Sequence, residues 1–156
     1  MRLTNEQILQ LRELVETALR QLYESDPELI RRRGMERSIL FRFGLYFSNL
    51  ISEIEWLSRL NLDLEYNKNG EGQKMILRRV YGVQPDLILH RRGNNEENTL
   101  IIEFKGWWNR TARRVDREKI EDFVNQNHDY RYGLGILVEI NRFNFACENV
   151  IDYQPE

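Results

Sequence analysis

A strand–helix–strand pattern over residues 100–140 restricts the fold of this 156-residue chain more than any other feature. An apolar run begins at Leu100, a helical pattern follows from about Arg113 to Asn127, and a second apolar run covers residues 133–140. The second run is nearly continuous, which is typical of a strand buried on both faces and paired in parallel through a helical crossover. The pattern therefore predicts an α/β fold, in which a mixed sheet is flanked by helices.

The remaining segments complete the predicted fold. The predicted elements are a first helix with a capping box at Thr4 and Gln7, a short helix near Pro27, a long helix over 35–59, strands over 62–66 and 74–80 and from Pro85, a hairpin loop over 93–98, and an edge strand near Val150 to Tyr153. We expect one domain over residues 1–156. It would comprise an N-terminal helical segment (1–33), a core (35–140) and a C-terminal tail (141–156).

Two charged residues interrupt the apolar run that begins at Leu100. Side chains alternate across a strand, so Glu103 and Lys105 share a face with Ile101. Asp86 opens the preceding strand, and a hairpin register can bring its carboxylate beside Glu103. Two carboxylates beside an ammonium suit a hard divalent cation that acts on a phosphate.

Pro85-Asp86, followed after 16 residues by Glu103-Phe104-Lys105, resembles the PD-(D/E)xK nuclease superfamily. The resemblance covers about residues 36–140. It implies a restriction-endonuclease-like fold and a metal-dependent nuclease that hydrolyses phosphodiester bonds in nucleic acid, with DNA as the expected substrate and Mg²⁺ or Mn²⁺ as the cofactor.

The resemblance also implies the roles of individual residues. The side chains of Asp86 and Glu103 and the backbone carbonyl of Phe104 would hold the ion, and Lys105 would orient the attacking water. Superfamily members often carry a helix glutamate that assists metal binding, and Glu36 matches it because it lies four residues before Leu40 on the inward stripe of the long helix.

Some acidic residues have alternative interpretations. Glu36 can instead be a favourable negative charge in the first turn of a helix, which needs no metal. Asp63 and Glu65 share one strand face and are rival ligands, but they also fit the solvated side of a half-exposed strand. His90 is expected at the surface or close to a turn, too far from Asp86 to join the same ion.

An aromatic and basic stretch follows Lys105. Trp108, Arg110, Arg113 and Arg114 can contact nucleic acid, because bases stack on aromatic rings and phosphates attract guanidiniums. Residues 31–119 hold 18 Lys and Arg against 12 Asp and Glu, although the whole chain has a net charge of −2. Core packing of the tryptophans and ordinary solvated helix faces are the alternatives.

The composition limits the other function classes. A single cysteine, Cys147, excludes an internal disulfide and a cysteine-based zinc site. No leader and no apolar run of about 18 residues is evident, so we expect a cytoplasmic protein that does not enter the membrane. A non-catalytic nucleic-acid- or protein-interaction module on the same fold stays open, as do RNA as the substrate and a homodimer or a partner protein that supplies specificity.

Overall fold

A computed structural model describes residues 1–66 and 84–156 of the chain. Within these residues the fold is a mixed five-stranded sheet, in the order β1-β2-β3-β4-β5, with helices on both faces. The helices are α1 (Asn5–Ser25), α2 (Pro27–Arg31), α3 (Glu36–Ser52), α4 (Glu55–Ser58) and α5 (Arg113–Val124). The strands are β1 (Asn61–Leu64), β2 (Leu87–His90), β3 (Leu100–Gly106), β4 (Leu134–Ile140) and β5 (Phe145–Val150). The predicted strand over 74–80 lies outside the described residues.

The predicted strand–helix–strand unit is confirmed. Strands β3 and β4 pair in parallel, α5 connects them, and the other neighbouring strands pair antiparallel. Helix α5 lies close to the sheet at Gly135, where an added Cβ would overlap the side chain of Ile120. Glycine at this position therefore sets how closely α5 approaches the sheet.

Two apolar clusters lie on opposite faces of the sheet, as the alternation along β3 predicts. Ile101 packs with Ile120 and Phe123 of α5. Ile102 and Phe104 point to the other face and pack with α1 and α3. Glu103 and Lys105 therefore project toward the α5 side, as predicted.

The prediction of one long helix over 35–59 is wrong in one respect, because the structure has two helices there, α3 and α4. Helix α3 ends at Ser52, and Ile54 is extended before α4 begins. Ile51 and Leu57 are both buried, although six residues along a continuous helix would point them to different sides. The break allows both side chains to enter the core.

The C-terminal edge strand also differs from the prediction. It is β5, which ends at Val150. Tyr153 instead joins the two chain ends, because its hydroxyl donates to the Gly133 carbonyl at 2.8 Å and accepts from the Leu3 amide at 2.8 Å. None of the helices in residues 1–66 and 84–156 has the length and apolar character needed to span a membrane.

Candidate active site

Asp86 and Glu103 lie side by side where β2 and β3 pair. Leu87 is opposite Ile102, so the residues before and after them are neighbours across the hairpin. One carboxylate oxygen of Asp86, Oδ2, accepts from the Phe104 amide at 2.7 Å, and the Asp86 amide donates to Glu103 Oε1 at 3.4 Å. Each carboxylate thus holds the backbone of the other strand, and the predicted pairing of these two acids is present.

Both acids have raised pKa values. Burial and the nearby Asp86 carboxylate raise the pKa of Glu103 to about 8, and Glu103 is only 4% exposed. Burial also raises the pKa of Asp86. The hydrogen bond from the Phe104 amide lowers this pKa, because it stabilises the charged carboxylate, but the effect of burial is larger. Two acids that repel each other in a sheltered place favour the binding of a cation between them.

The cation that contacts Glu103 in the structure is Lys119 of α5. Its ammonium lies 2.8 Å from each carboxylate oxygen of Glu103 and donates to the Gln84 carbonyl at 2.8 Å. The side chains of Lys119 and Glu103 are 11% and 5% exposed, so this is a sheltered ion pair. The sequence interpretation missed Lys119, although its position four residues before Phe123 places it on the inward stripe of α5.

Lys105 points into the same face but makes different contacts. Its ammonium donates to the Thr111 carbonyl and pairs with Asp116 Oδ2 at 3.2 Å. Its ion pair in the described part of the chain is with Asp116, whereas Glu103 pairs with Lys119. The loop after Gly106 brings the start of α5 over this face. Asp116, in the first turn of α5, therefore contacts the Lys105 ammonium.

Glu36 begins α3 and is half-buried near the same end of the sheet. Burial raises its pKa, and the negative charges of Asp86, Asp116 and Glu65 raise it further. An effect of Asp86 on Glu36 means that the two carboxylates lie within electrostatic reach. Glu36 is therefore within electrostatic reach of Asp86, and its support of a metal ion stays a prediction.

The two rival acidic residues differ in their surroundings: Asp63 has partners away from the acid pair, whereas Glu65 lies next to it, since the Glu65 amide donates to the Asp86 carbonyl at 3.0 Å. Asp63 Oδ2 lies 2.8 Å from His90 Nε2 and 2.9 Å from the Arg92 guanidinium. His90 does not lie at the surface, since it is 2% exposed, but it ends β2 next to the loop, in keeping with the turn-proximal alternative. Glu65 lies 3.7 Å from Arg37.

The donor groups fit a hard divalent cation in their chemistry. Carboxylate oxygens are the ligands that Mg²⁺ prefers, and Asp86, Glu103 and Glu36 supply such oxygens. The negative charge of Asp86 raises the pKa values of Glu36 and Glu103. No group of three or more His, Cys, Asp or Glu arranged to hold a metal is found among residues 1–66 and 84–156. The Lys119 ammonium contacts both oxygens of Glu103, so an ion at Glu103 would compete with it.

The arginines predicted to contact nucleic acid differ in their surroundings. Arg113 pairs with Glu139 at 3.4 Å and with Glu148 at 2.5 Å. Arg114 is exposed and lies 3.7 Å from Glu118, and Arg110 is exposed. Acidic partners thus offset the charges of Arg113 and Arg114.

Trp108 packs against the core cluster of α1 and α3 and is half-buried. Its ring lies so close to Gly106 that a Cβ on that glycine would overlap it. The ring planes of Trp107 and Trp108 meet at 85° with centroids 5.6 Å apart. Packing is therefore one role of Trp108, and nucleic-acid contact by this residue stays a prediction.

Comparison with protein-family models, with curated proteins and with solved structures found no match for the chain. The interpretation of the Asp86, Glu103 and Lys119 cluster therefore depends on the contacts of its own residues.

Proposed function

We propose that this chain is a divalent-metal-dependent nuclease with a restriction-endonuclease-like fold, and that it hydrolyses phosphodiester bonds in nucleic acid, with DNA as the first candidate. The observation that carries the proposal is the joined pair of Asp86 and Glu103, with a lysine ammonium in contact with the pair. Acids and ammonium groups gathered at the end of adjacent strands are the components that phosphate chemistry requires.

Asp86 and Glu103 are the residues that would hold Mg²⁺ or Mn²⁺, with the Phe104 carbonyl as a third ligand by resemblance and Glu36 in support. The ion, when bound, lowers the pKa of water and neutralises charge on the phosphate. The chain itself orients Asp86 through the Phe104 amide and keeps Glu103 away from bulk water. Both effects fix the carboxylates before any substrate arrives.

Two lysines are candidates for the positive group that faces the phosphate. The spacing along β3 predicts Lys105, and this role stays a prediction. Lys119 is a second candidate, because its ammonium already contacts both oxygens of Glu103. If Asp86 and Glu103 held an ion, the Lys119 ammonium would be placed to donate to a phosphate oxygen or to the attacking water.

Incubation with nucleic acid tests the proposal directly. Supercoiled, linear and branched DNA, and RNA, are incubated with the protein in Mg²⁺, in Mn²⁺ and in EDTA. We expect cleavage with either ion, none in EDTA, and none by Asp86→Asn. Asp129→Asn is the matched control, because Asp129 is exposed in the loop between α5 and β4. Cleavage by Asp86→Asn at the wild-type rate would contradict the proposal.

One observation favours a second function, a non-catalytic interaction module on the same scaffold. The Lys119 ammonium contacts both oxygens of Glu103, so this buried acid has a partner without any metal. Under this alternative, Mg²⁺ and Mn²⁺ would not raise the melting temperature, and bound nucleic acid would remain uncut.

A further inference from the structure

Three separate segments, which lie at the ends of α2, β3 and β4, meet and form a surface of arginine and aromatic side chains. The Arg142 guanidinium lies 4.1 Å from the centroid of the Trp107 ring, and that of Arg31 lies 5.2 Å from the centroid of the Phe143 ring. The Trp107 indole donates from Nε1 to the Ile30 carbonyl at 2.9 Å, which joins the segments. We call the following six residues the arginine–aromatic surface: Arg31, Arg32, Arg33, Trp107, Arg142 and Phe143.

Acidic side chains do not offset the charges of the arginines on this surface, as far as the described residues show. All four are exposed, and within residues 1–66 and 84–156 none of them forms an ion pair with an acidic side chain. In α5, by contrast, Arg113 pairs with Glu139 and Glu148. Among the described residues, this surface therefore offers four guanidiniums to an anionic partner without an acidic side chain that competes for them.

Phe143 gives this surface a second property. It lies in the turn between β4 and β5 and is 76% exposed. The turn is held in place by the Tyr23 hydroxyl, which lies 2.6 Å and 2.7 Å from the carbonyl oxygens of Asn141 and Asn144. An exposed ring on a fixed turn, next to a guanidinium, is a platform on which a flat base can stack.

We propose that the arginine–aromatic surface binds a single-stranded segment of nucleic acid. Guanidiniums bind phosphates in a bidentate manner, and the Phe143 ring stacks on an unpaired base. A base inside a duplex has both faces covered by its neighbours, so an aromatic platform favours a single strand. This inference rests on the proposed nuclease function and deepens it by naming the class of substrate.

The position of the surface connects it with the candidate active site. Trp107 follows Lys105 by two residues, and Arg33 precedes Glu36 by three. The Trp107 amide also donates to the Ile140 carbonyl at 2.8 Å, at the end of the sheet to which Glu103 belongs. The surface therefore begins directly after the strand that carries Glu103 and Lys105.

Fluorescence anisotropy in EDTA tests the proposal without requiring cleavage. Labelled single-stranded and duplex DNA of the same sequence are titrated with wild type, with R31Q/R32Q/R33Q/R142Q, with Phe143→Ala, and with R59Q/R91Q. Arg59 and Arg91 are a suitable control, because both pair with Glu97 in the loop between β2 and β3. Circular dichroism melting checks that all variants are folded.

We expect wild type to prefer the single strand. The fourfold variant should bind it weakly and should reduce the slope of log K against log salt by up to about 3. Phe143→Ala should weaken single-strand binding by about 5-fold to 100-fold, and R59Q/R91Q should bind like wild type.

Three results separate this inference from the proposed function. Single-strand affinities equal to wild type in the fourfold variant and in Phe143→Ala would overturn the inference, even if the protein cleaves DNA. No binding of nucleic acid by wild type would overturn it as well. Binding that depends on this surface, in a protein that cleaves neither DNA nor RNA with Mg²⁺ or Mn²⁺, would support the inference and overturn the proposed nuclease.

Discussion

The Lys119 ammonium lies 2.8 Å from both carboxylate oxygens of Glu103, and both side chains are largely shielded from solvent. The lysine comes from α5 and the acid from β3, so this contact joins the helix to the sheet at the candidate active site. It also places a cation where the proposed function requires a metal ion. The first three predictions examine this contact and the acids around it.

Glu103 should make the metal-free protein less stable as pH rises. Its pKa is about 8 in the folded chain, against an ordinary value of 4.5. Between these values the folded state holds a proton that the unfolded state has lost, so the free energy of unfolding falls with rising pH, by at most about 1.4 kcal/mol per pH unit. Urea denaturation in EDTA from pH 5 to 8 measures this slope. Glu103→Gln should flatten it, and an unchanged slope would show that other groups cause the dependence.

A divalent ion should stabilise the protein more strongly at high pH. Asp86 and Glu103 must lose their protons before they bind an ion, and their pKa values are raised. Saturating Mn²⁺ or Mg²⁺ at pH 8.5 should raise the melting temperature of wild type by about 5 °C. The rise should be smaller at pH 6. Asp86→Asn should show little rise at either pH, whereas Asp129→Asn should behave like wild type.

The two lysines should differ in their effects on cleavage. We expect Lys119→Met to lower the cleavage rate by about 10²–10³, because a positioned donor that faces developing charge contributes this much. It should leave ion affinity intact or higher, since the ammonium no longer competes for Glu103. Lys105→Met should mainly loosen the start of α5, where Lys105 contacts Asp116. Single-turnover cleavage and ion titration on both variants show which lysine has the catalytic role. A larger rate loss in Lys105→Met would return the catalytic role to Lys105.

Gly106→Ala should destabilise the protein by about 1–3 kcal/mol, because the new methyl group would overlap the Trp108 ring. Gly44→Ala is the matched control. Gly44 lies within α3, and a Cβ there would be in ordinary contact with Leu64 at 3.7 Å, so alanine should be neutral or stabilising. Urea denaturation measures both changes. Equal effects would mean that the Trp108 ring moves aside without a penalty.

Local sequence patterns predict much of the sheet. Alternation along β3 predicts that Glu103 and Lys105 lie on the same face of the sheet. The hairpin predicts that Asp86 lies next to Glu103. Both predictions succeed because they depend on short-range geometry. The parallel pairing of β4 follows from its continuous apolar run.

Other features depend on tertiary packing and could not be predicted in the same way. The break between α3 and α4 carries no proline or glycine and follows from the burial of both Ile51 and Leu57. Lys119 reaches Glu103 only because α5 crosses the sheet at one particular angle and distance. The burial of His90 likewise depends on its contact with Asp63 across the β1–β2 pair.

The close packing at Gly135 has a kinetic consequence for the candidate site. Ile120 of α5 fills the space that a side chain at position 135 would occupy, and Val124 packs beside it. Because packed interiors do not deform continuously, α5 cannot slide away from the sheet to release Glu103. Under the proposed function, an ion at Glu103 would then replace the Lys119 ammonium through rotation about the side-chain bonds of Lys119, without movement of α5. Ion entry would then be a fast local event, independent of any domain motion.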